Sequence, residues 1–199
     1  MRILGIDPGY GITGFGLIEA NRGQSQLLQC GVITTPAGMD FSARLEIIYE
    51  DMRKLLELSK PDAVAIEELF FGQNVTTGIG VAQSRGVILL AIRQAGLEVT
   101  AYKPMQIKQA LVGYGNATKH QMQEMTRRLL HLQANPKPDD AADAIAIALC
   151  HARSSTSLIA RAQQKELCHC EPVRTLVWQS PGHSGNLRGL PRRPMASSQ

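Results

Sequence analysis

Residues 1–9 read Met-Arg-Ile-Leu-Gly-Ile-Asp-Pro-Gly, a short apolar run that ends in an acid and a Pro-Gly turn. The run Arg2–Asp7 predicts a β-strand, because a few apolar residues closed by a turn are typical of a strand buried in a sheet. A carboxylate at the end of such a strand is costly unless another group compensates its charge. Taken alone, Asp7 is equally well explained as part of the turn with Pro8 and Gly9.

The segments that follow this strand predict an α/β protein. Two more strands, Gly14–Ala20 and Gln26–Thr34, are separated only by a turn at 21–24, which favours an antiparallel meander. Apolar periodicity and capping residues then predict further helices and strands at Phe41–Leu58 (helix), Asp62–Glu68 (strand), Thr76–Ala95 (helix), Glu98–Tyr102 (strand), Met105–Val112 (helix), Thr118–Leu132 (helix) and Asp139–Ala152 (helix). A mixed five-stranded sheet with helices on both faces would bury this order of elements.

The net charge of +4 is unevenly distributed over the 199 residues. Residues 1–150 carry fourteen basic and fifteen acidic side chains, whereas residues 151–199 carry seven basic and two acidic ones. We therefore expect one ordered domain at 1–153 and a basic tail at 154–199 that is disordered or weakly ordered, since the tail lacks periodic apolar residues. DNA binding by the domain would then require a local basic patch.

The sequence contains no apolar run of the roughly 20 residues that cross a bilayer, and its first residues lack the apolar stretch of a signal peptide. A cytoplasmic protein is therefore expected, with its four cysteines as thiols. Cys168, His169 and Cys170 could suggest a metal site with His183, but they lack the usual spacing of zinc ligands.

Four acidic residues are candidates for a metal site. Asp7 and Glu67 lie near the ends of two predicted strands, and Asp140 and Asp143 are three residues apart on one face of the last helix. Converging carboxylates would raise one another's pKa, and divalent cations would remove that penalty. Oxygen ligands favour Mg²⁺ or Mn²⁺ over zinc, and two such ions about 4 Å apart can activate water and stabilise a leaving oxygen in phosphodiester cleavage.

Spacing alone leaves two of these assignments open. Glu67 and Glu68 point to opposite faces of one strand, and either face could look toward Asp7. Asp139 and Asp140 could both be ordinary residues of a helix N-terminus, favoured there by the helix dipole.

Several motifs occur in an order typical of one nuclease family. They are Gly5–Gly9 with Gly14–Gly16, Ala65–Glu67 with Phe70 and Asn74, Gln83–Gly86, Gln106–Gln109, Val112–Gly115 and Asp140–Ala144. Over about residues 1–153 the sequence thereby resembles the RuvC family of Holliday-junction resolvases. The resemblance implies an RNase H-like fold, a homodimer, cleavage of both strands across a four-way DNA junction, and the branch-migration proteins RuvA and RuvB as partners.

The resemblance also assigns the catalytic and metal-binding acids. It places them at Asp7, Glu67, Asp140 and Asp143. It thus favours Glu67 over Glu68 and Asp140 over Asp139.

The same resemblance implies three DNA contacts. Phe70 falls on an aromatic position that inserts at the junction centre, and Lys108 and Lys119 fall on basic positions that contact DNA. These two lysines flank the glycine-containing stretch 112–116, which could follow a phosphate backbone without reading the sequence. Phe70 could equally be a core residue, and for Arg85 a solvated surface charge is the simpler interpretation.

Small residues recur every fourth position along the long helix predicted at Thr76–Ala95. Gly78, Ala82 and Gly86 form a stripe that permits close packing, either on the protein's own sheet or on a second copy. We favour the second copy, because a twofold enzyme suits a substrate with near-twofold symmetry.

Two other functions are compatible with parts of the sequence. Gly5–Gly11 resembles the phosphate-binding loop of sugar kinases and actin-like ATPases, but those proteins need two lobes, and about 150 ordered residues make one domain. A non-catalytic junction-binding module would not need Glu67, Asp140 and Asp143 together. A metal-dependent endonuclease is the favoured interpretation.

Overall fold

The computed structural model describes residues 1–21, 23–69 and 75–155. Within these residues the strands are β1 (Arg2–Asp7), β2 (Ile12–Asn21), β3 (Gln24–Thr34), β4 (Ala63–Glu67) and β5 (Val99–Tyr102). The helices of the same residues are α1 (Phe41–Ser59), α2 (Val75–Gln94), α3 (Pro104–Val112), α4 (Lys119–Leu129) and α5 (Asp139–Ser155). Each element lies where the sequence predicts it, with ends that differ by a few residues.

The strands form one sheet in the order β3-β2-β1-β4-β5. β1, β2 and β3 are antiparallel neighbours, which confirms the predicted meander, and Gly23 has the positive φ of 85° that its tight turn requires. β4 and β5 run parallel to β1. The sheet is therefore mixed and five-stranded, as expected.

Helices cover both faces of the sheet and enclose two hydrophobic cores. Ile3 of β1 faces the core beneath α3, α4 and α5, whereas Leu4 and Ile6 face the core beneath α1 and α2. This alternation follows from the twofold periodicity of a strand. Ile3, Leu4 and Ile6 are fully buried, each contributing roughly 1.5–3 kcal/mol from removal of its side chain from water.

Local capping interactions set several helix ends. The Asp40 side chain accepts hydrogen bonds from the backbone N–H groups of Ser42 and Ala43 at the start of α1. Thr118 and Gln121 form the capping box predicted for the start of α4. α5 continues to Ser155, two residues into the segment expected to be the tail, and residues 156–199 lie outside the described part of the chain.

None of the helices within residues 1–155 that the structure describes is both long and apolar enough to span a membrane. Cys30 and Cys150 are free thiols, as predicted. The metal ligands considered at Cys168, His169, Cys170 and His183 lie outside the described residues.

Candidate active site

Asp7 and Glu67 lie at the carboxyl ends of β1 and β4, two parallel strands that are neighbours in the sheet. Ile6 and Ile66, the preceding residues, point into the core beneath α1 and α2. Because side chains alternate along a strand, Asp7 and Glu67 both point to the opposite face, which α5 covers. Their carboxyl groups are close enough to hydrogen-bond to each other.

Glycines on the strands allow the start of α5 to lie directly on the sheet beside this pair. A Cβ atom at Gly14, the β2 partner of Asp7, would be 2.0 Å from the carbonyl oxygen of Asp140. Cβ atoms at Gly5 and Gly16 would also overlap α5. Only glycine permits such an approach, so these three positions bring the acids of α5 to the ends of β1 and β4.

The acids form one electrostatic cluster. The pKa of Asp7 is raised from 3.8 to about 8, first by burial and then by the neighbouring charges of Glu67, Asp143 and Asp140. The pKa of Glu67 is also raised, mainly by burial, which outweighs the opposing effect of its hydrogen bond to Asp7. Burial likewise raises the pKa of Asp143. The other three acids assigned by the resemblance thus lie close enough to Asp7 for their charges to act on its pKa.

Lys119 lies beside this cluster. Its Nζ atom is 3.1 Å from Oδ2 of Asp139 and 3.3 Å from Oδ2 of Asp143. Asp139 also accepts a hydrogen bond of 3.1 Å from Nε2 of Gln123. The lysine expected to contact DNA is therefore paired with two carboxylates at the edge of the acidic cluster.

The donor chemistry of the cluster fits hard divalent cations. Its oxygen ligands are those preferred by Mg²⁺ and Mn²⁺. The raised pKa of Asp7 reflects its burial together with the neighbouring negative charges, and a cation relieves both effects. Among the described residues, no three acidic, His or Cys side chains are already arranged around one position for an ion. The carboxyl groups of Asp7 and Glu67 instead share a hydrogen bond, and Asp143 forms an ion pair with Lys119.

The two pairs of adjacent acids differ in their surroundings. Glu67 is partly buried against Asp7, whereas Glu68 is exposed. Asp140 is partly buried and acts on the pKa of Asp7, whereas Asp139 is exposed and pairs with Lys119.

Lys108 is the other predicted DNA contact that the structure describes. Lys108, on α3, is partly buried and close enough to Glu67 for its positive charge to oppose the rise in the pKa of that carboxyl group. Gly113 ends α3 with a φ of 94°, at the start of the stretch 112–116 that separates the two lysines. Phe70 lies outside the described residues.

Ser84 and Arg85 contact the backbone of the site, a role that the sequence interpretation missed. Arg85 was expected to be a solvated charge, but its Nε atom donates a hydrogen bond of 3.1 Å to the carbonyl oxygen of Glu67. Ser84 Oγ donates one of 3.0 Å to the carbonyl oxygen of Gly9. The only signal in the sequence was the motif Gln83–Gly86, to which no role had been given.

A cavity of about 550 Å³ lies elsewhere, between α1 and α2. Lys60, Pro61 and Leu97 line it, and these residues precede β4 and β5. It is therefore at the opposite end of these strands from the acids.

The fold and the acidic cluster define a class of protein: a nuclease built on an RNase H-like sheet, with acids on the ends of two central strands and on the helix that crosses them. Comparison with known proteins identifies the family. A sequence model described as crossover junction endodeoxyribonuclease RuvC matches residues 3–151. RuvC of Chloroflexus aurantiacus is 53% identical over 158 residues, which are 79% of this chain and 96% of the relative.

Solved structures agree with this match. The Thermus thermophilus RuvC structure aligns with a TM-score of 0.73 and 37% identity, over 78% of this chain and 95% of that one. T. thermophilus RuvC in complex with a Holliday junction substrate aligns with a TM-score of 0.72 and 35% identity, over the same shares of both chains. The chain belongs to the RuvC family of crossover junction endodeoxyribonucleases and is an enzyme of DNA recombination and repair. The kinase-like and non-catalytic alternatives are thereby excluded.

Proposed function

We propose that this enzyme resolves four-way DNA junctions with a metal site formed by Asp7, Glu67, Asp140 and Asp143. Two Mg²⁺ ions are the proposed cofactors, and Mn²⁺ should substitute for them. The observation that carries the proposal is that Asp7 is buried beside Glu67, Asp143 and Asp140, and its pKa is raised to about 8, first by burial and then by these charges. A buried carboxylate among other acids costs folding free energy, and a bound cation would offset that cost.

The roles of the acids follow from where they lie. Bound divalent ions would supply an activated water and stabilise the charge that develops on the leaving oxygen. Asp7 and Glu67 would give up their mutual hydrogen bond and turn their oxygens to the ions. Asp140 and Asp143 would hold the ions from the helix side, because Gly14 lets the backbone at Asp140 rest on the sheet beside Asp7.

Lys119 is paired with two carboxylates beside the proposed site. Its ammonium group forms ion pairs with Asp143 and Asp139. Once Asp143 becomes a ligand, Lys119 would be available to a phosphate of the DNA while Asp139 keeps it near the site. Lys108 would contact the backbone from the other side of the stretch 112–116, and Phe70 would stack on or wedge between bases at the junction.

We propose a homodimer whose seam includes the outer face of α2. Ile79 and Leu90 on this face are 53% and 52% exposed, and Gln83 and Gly86 between them are also exposed. A Cβ atom at Gly86 would meet nothing within 4 Å, so this glycine is not required for packing within the protomer. Exposed aliphatic side chains beside a small residue favour contact with a second copy.

The proposed setting is the bacterial cytoplasm, with RuvA and RuvB as partners in branch migration. The T. thermophilus relative was solved with a Holliday junction substrate, which supports the same DNA structure as the substrate of this enzyme.

The proposal is tested with a labelled four-way junction and a linear duplex of the same sequence, each with and without Mg²⁺. We expect paired, symmetric cuts in the junction only when Mg²⁺ is present, and little cutting of the duplex. Asp7→Asn should bind the junction and leave it intact. Wild-type cleavage by this variant would contradict the proposed site, and equal cutting of both DNAs would contradict the proposed substrate.

A further inference from the structure

The ladder between β1 and β4 ends one residue before the acids. Its last pair is Ile6 with Ile66, so Asp7 and Glu67 lie just beyond it. Each acid still pairs with the strand on its other side, Asp7 with Gly14 of β2 and Glu67 with Tyr102 of β5. Backbone pairing between β1 and β4 therefore does not set the spacing between Asp7 and Glu67.

Two consecutive residues of α2 bridge the ends of β1 and β4. Ser84 Oγ donates to the carbonyl oxygen of Gly9 at 3.0 Å, on the β1 side. Arg85 Nε donates to the carbonyl oxygen of Glu67 at 3.1 Å, on the β4 side. Successive side chains of a helix diverge by about 100°, so neighbouring residues can reach two separate strands.

The contact made by Ser84 is unusual for a serine inside a helix. Such a hydroxyl commonly bonds to the carbonyl group four residues earlier in its own helix, or faces solvent. Ser84 is fully buried and bonds instead to the turn that follows Asp7. The same Gly9 carbonyl accepts a hydrogen bond of 2.5 Å from the buried Thr13 hydroxyl, so the turn is held from β2 as well as from α2.

We propose that Ser84 and Arg85 are positioning residues that fix the spacing between the carboxylates of Asp7 and Glu67, and so the geometry offered to divalent cations. The inference rests on the proposed metal-binding role of these two acids. It assigns to the motif Gln83–Gly86 a function in metal binding, in place of the surface charge expected for Arg85.

The sign of the effect separates positioning from simple electrostatics. Removing the positive charge of Arg85 from the neighbourhood of the acids should, by Coulomb attraction alone, strengthen the binding of a cation. Loss of positioning predicts the reverse, because residues that orient metal ligands typically contribute about 10–100-fold to metal affinity.

The experiment measures Mn²⁺ binding by calorimetry in the absence of DNA, for Ser84→Ala, Arg85→Gln and Arg85→Lys. Two matched controls make the same chemical changes elsewhere. Ser59→Ala removes a buried helical hydroxyl that bonds to the carbonyl oxygen of Leu55 within α1. Arg93→Gln removes an exposed charge from the last turn of α2.

We expect Ser84→Ala and Arg85→Gln to raise the Kd for Mn²⁺ about tenfold and to lower kcat on a junction with little change in KM. Arg85→Lys should recover most of the affinity, since its ammonium group can still donate to the carbonyl oxygen of Glu67. The controls should bind Mn²⁺ as the wild type does. Unfolding temperatures identify any variant that is merely misfolded, and if Ser84→Ala is one, the Arg85 variants decide.

Glu67→Gln makes the two possible failures distinguishable. If Glu67→Gln loses Mn²⁺ binding while Ser84→Ala and Arg85→Gln bind Mn²⁺ normally, the positioning role is wrong and the metal site stands. If Glu67→Gln itself binds Mn²⁺ normally, the proposed metal site is wrong. Tighter Mn²⁺ binding by Arg85→Gln would show that Arg85 acts through its charge alone and would also overturn the inference.

Discussion

Asp7→Asn should stabilise the metal-free protein while abolishing cleavage. Folding raises the pKa of Asp7 from 3.8 to about 8, because burial and the charges of Glu67, Asp143 and Asp140 disfavour the ionised carboxyl group. A group whose pKa is higher in the folded state binds its proton more tightly there. Its contribution to stability is therefore complete below about pH 4 and is lost as the pH rises through about 8.

The pKa shift sets the size of the expected effect. At pH 7 the unfolded carboxyl group is ionised, whereas the folded one must take up a proton. The interval from 3.8 to pH 7 corresponds to about 4 kcal/mol, at roughly 1.4 kcal/mol per pKa unit, and this is the ceiling for the gain. We expect a net gain of about 1–3 kcal/mol, because the amide must replace the hydrogen bond to Glu67. Each kcal/mol should raise the Tm by about 2–4 °C for a folded unit of this size.

Thermal unfolding in EDTA over a range of pH measures this gain. The difference in Tm between Asp7→Asn and the wild type should widen from about pH 4 to about pH 8 and then level off. Saturating Mg²⁺ should stabilise the wild type more than the variant and so reduce the difference, because the substitution removes a proposed ligand. Glu68→Gln, at the same end of the sheet but exposed, is the control and should change the Tm little. A variant less stable than the wild type at pH 8 in EDTA would refute the argument that burial and neighbouring charges disfavour the ionised carboxyl group of Asp7.

The other predictions concern neighbouring positions. Glu67→Gln should eliminate cleavage of a labelled junction in saturating Mg²⁺, whereas Glu68→Gln should retain most of the wild-type rate; the reverse result would mean that the wrong face of β4 had been assigned. In the same assay Asp140→Asn should be far more damaging than Asp139→Asn, because only Asp140 is partly buried near the strand ends; equal losses would give both a role in the chemistry. Gly14→Ala should destabilise the protein by about 1–3 kcal/mol or more and lower the cleavage rate, since its Cβ would lie 2.0 Å from the carbonyl oxygen of Asp140; an unchanged Tm would show that α5 does not need this close approach.

Contiguous patterns in the sequence were sufficient to predict the elements of the fold. The strand at Arg2–Asp7 has the predicted bounds, and the helix predicted at Phe41–Leu58 ends one residue later. The predicted capping box of Thr118 and Gln121 is present at the start of α4. These features depend on residues close together in the chain, so apolar periodicity, turns and caps carry the necessary information.

The sequence was less informative about which side chains contact one another than about the helices and strands. Spacing left Glu67 and Glu68 open, and only the family resemblance favoured Glu67. The hydrogen bond from Arg85 to the carbonyl oxygen of Glu67 was not anticipated, and neither was the pairing of Lys119 with Asp139. Each contact joins segments that are 18 or more residues apart, and no local pattern encodes such a pair.

The sequence by itself determined the order of strands and helices and the acidic residues available for a metal site. Its motifs also indicated the family of the protein. Only the tertiary structure decided which acids face one another and what holds them there. Glu67 faces Asp7 because Ile66 is buried beneath α1 and α2, which turns the next side chain toward α5. Asp140 lies near Asp7 because Gly14 leaves room for α5 on the sheet. The physical reason is that periodicity within a strand or helix is a local property, whereas the contacts between elements depend on how their surfaces pack.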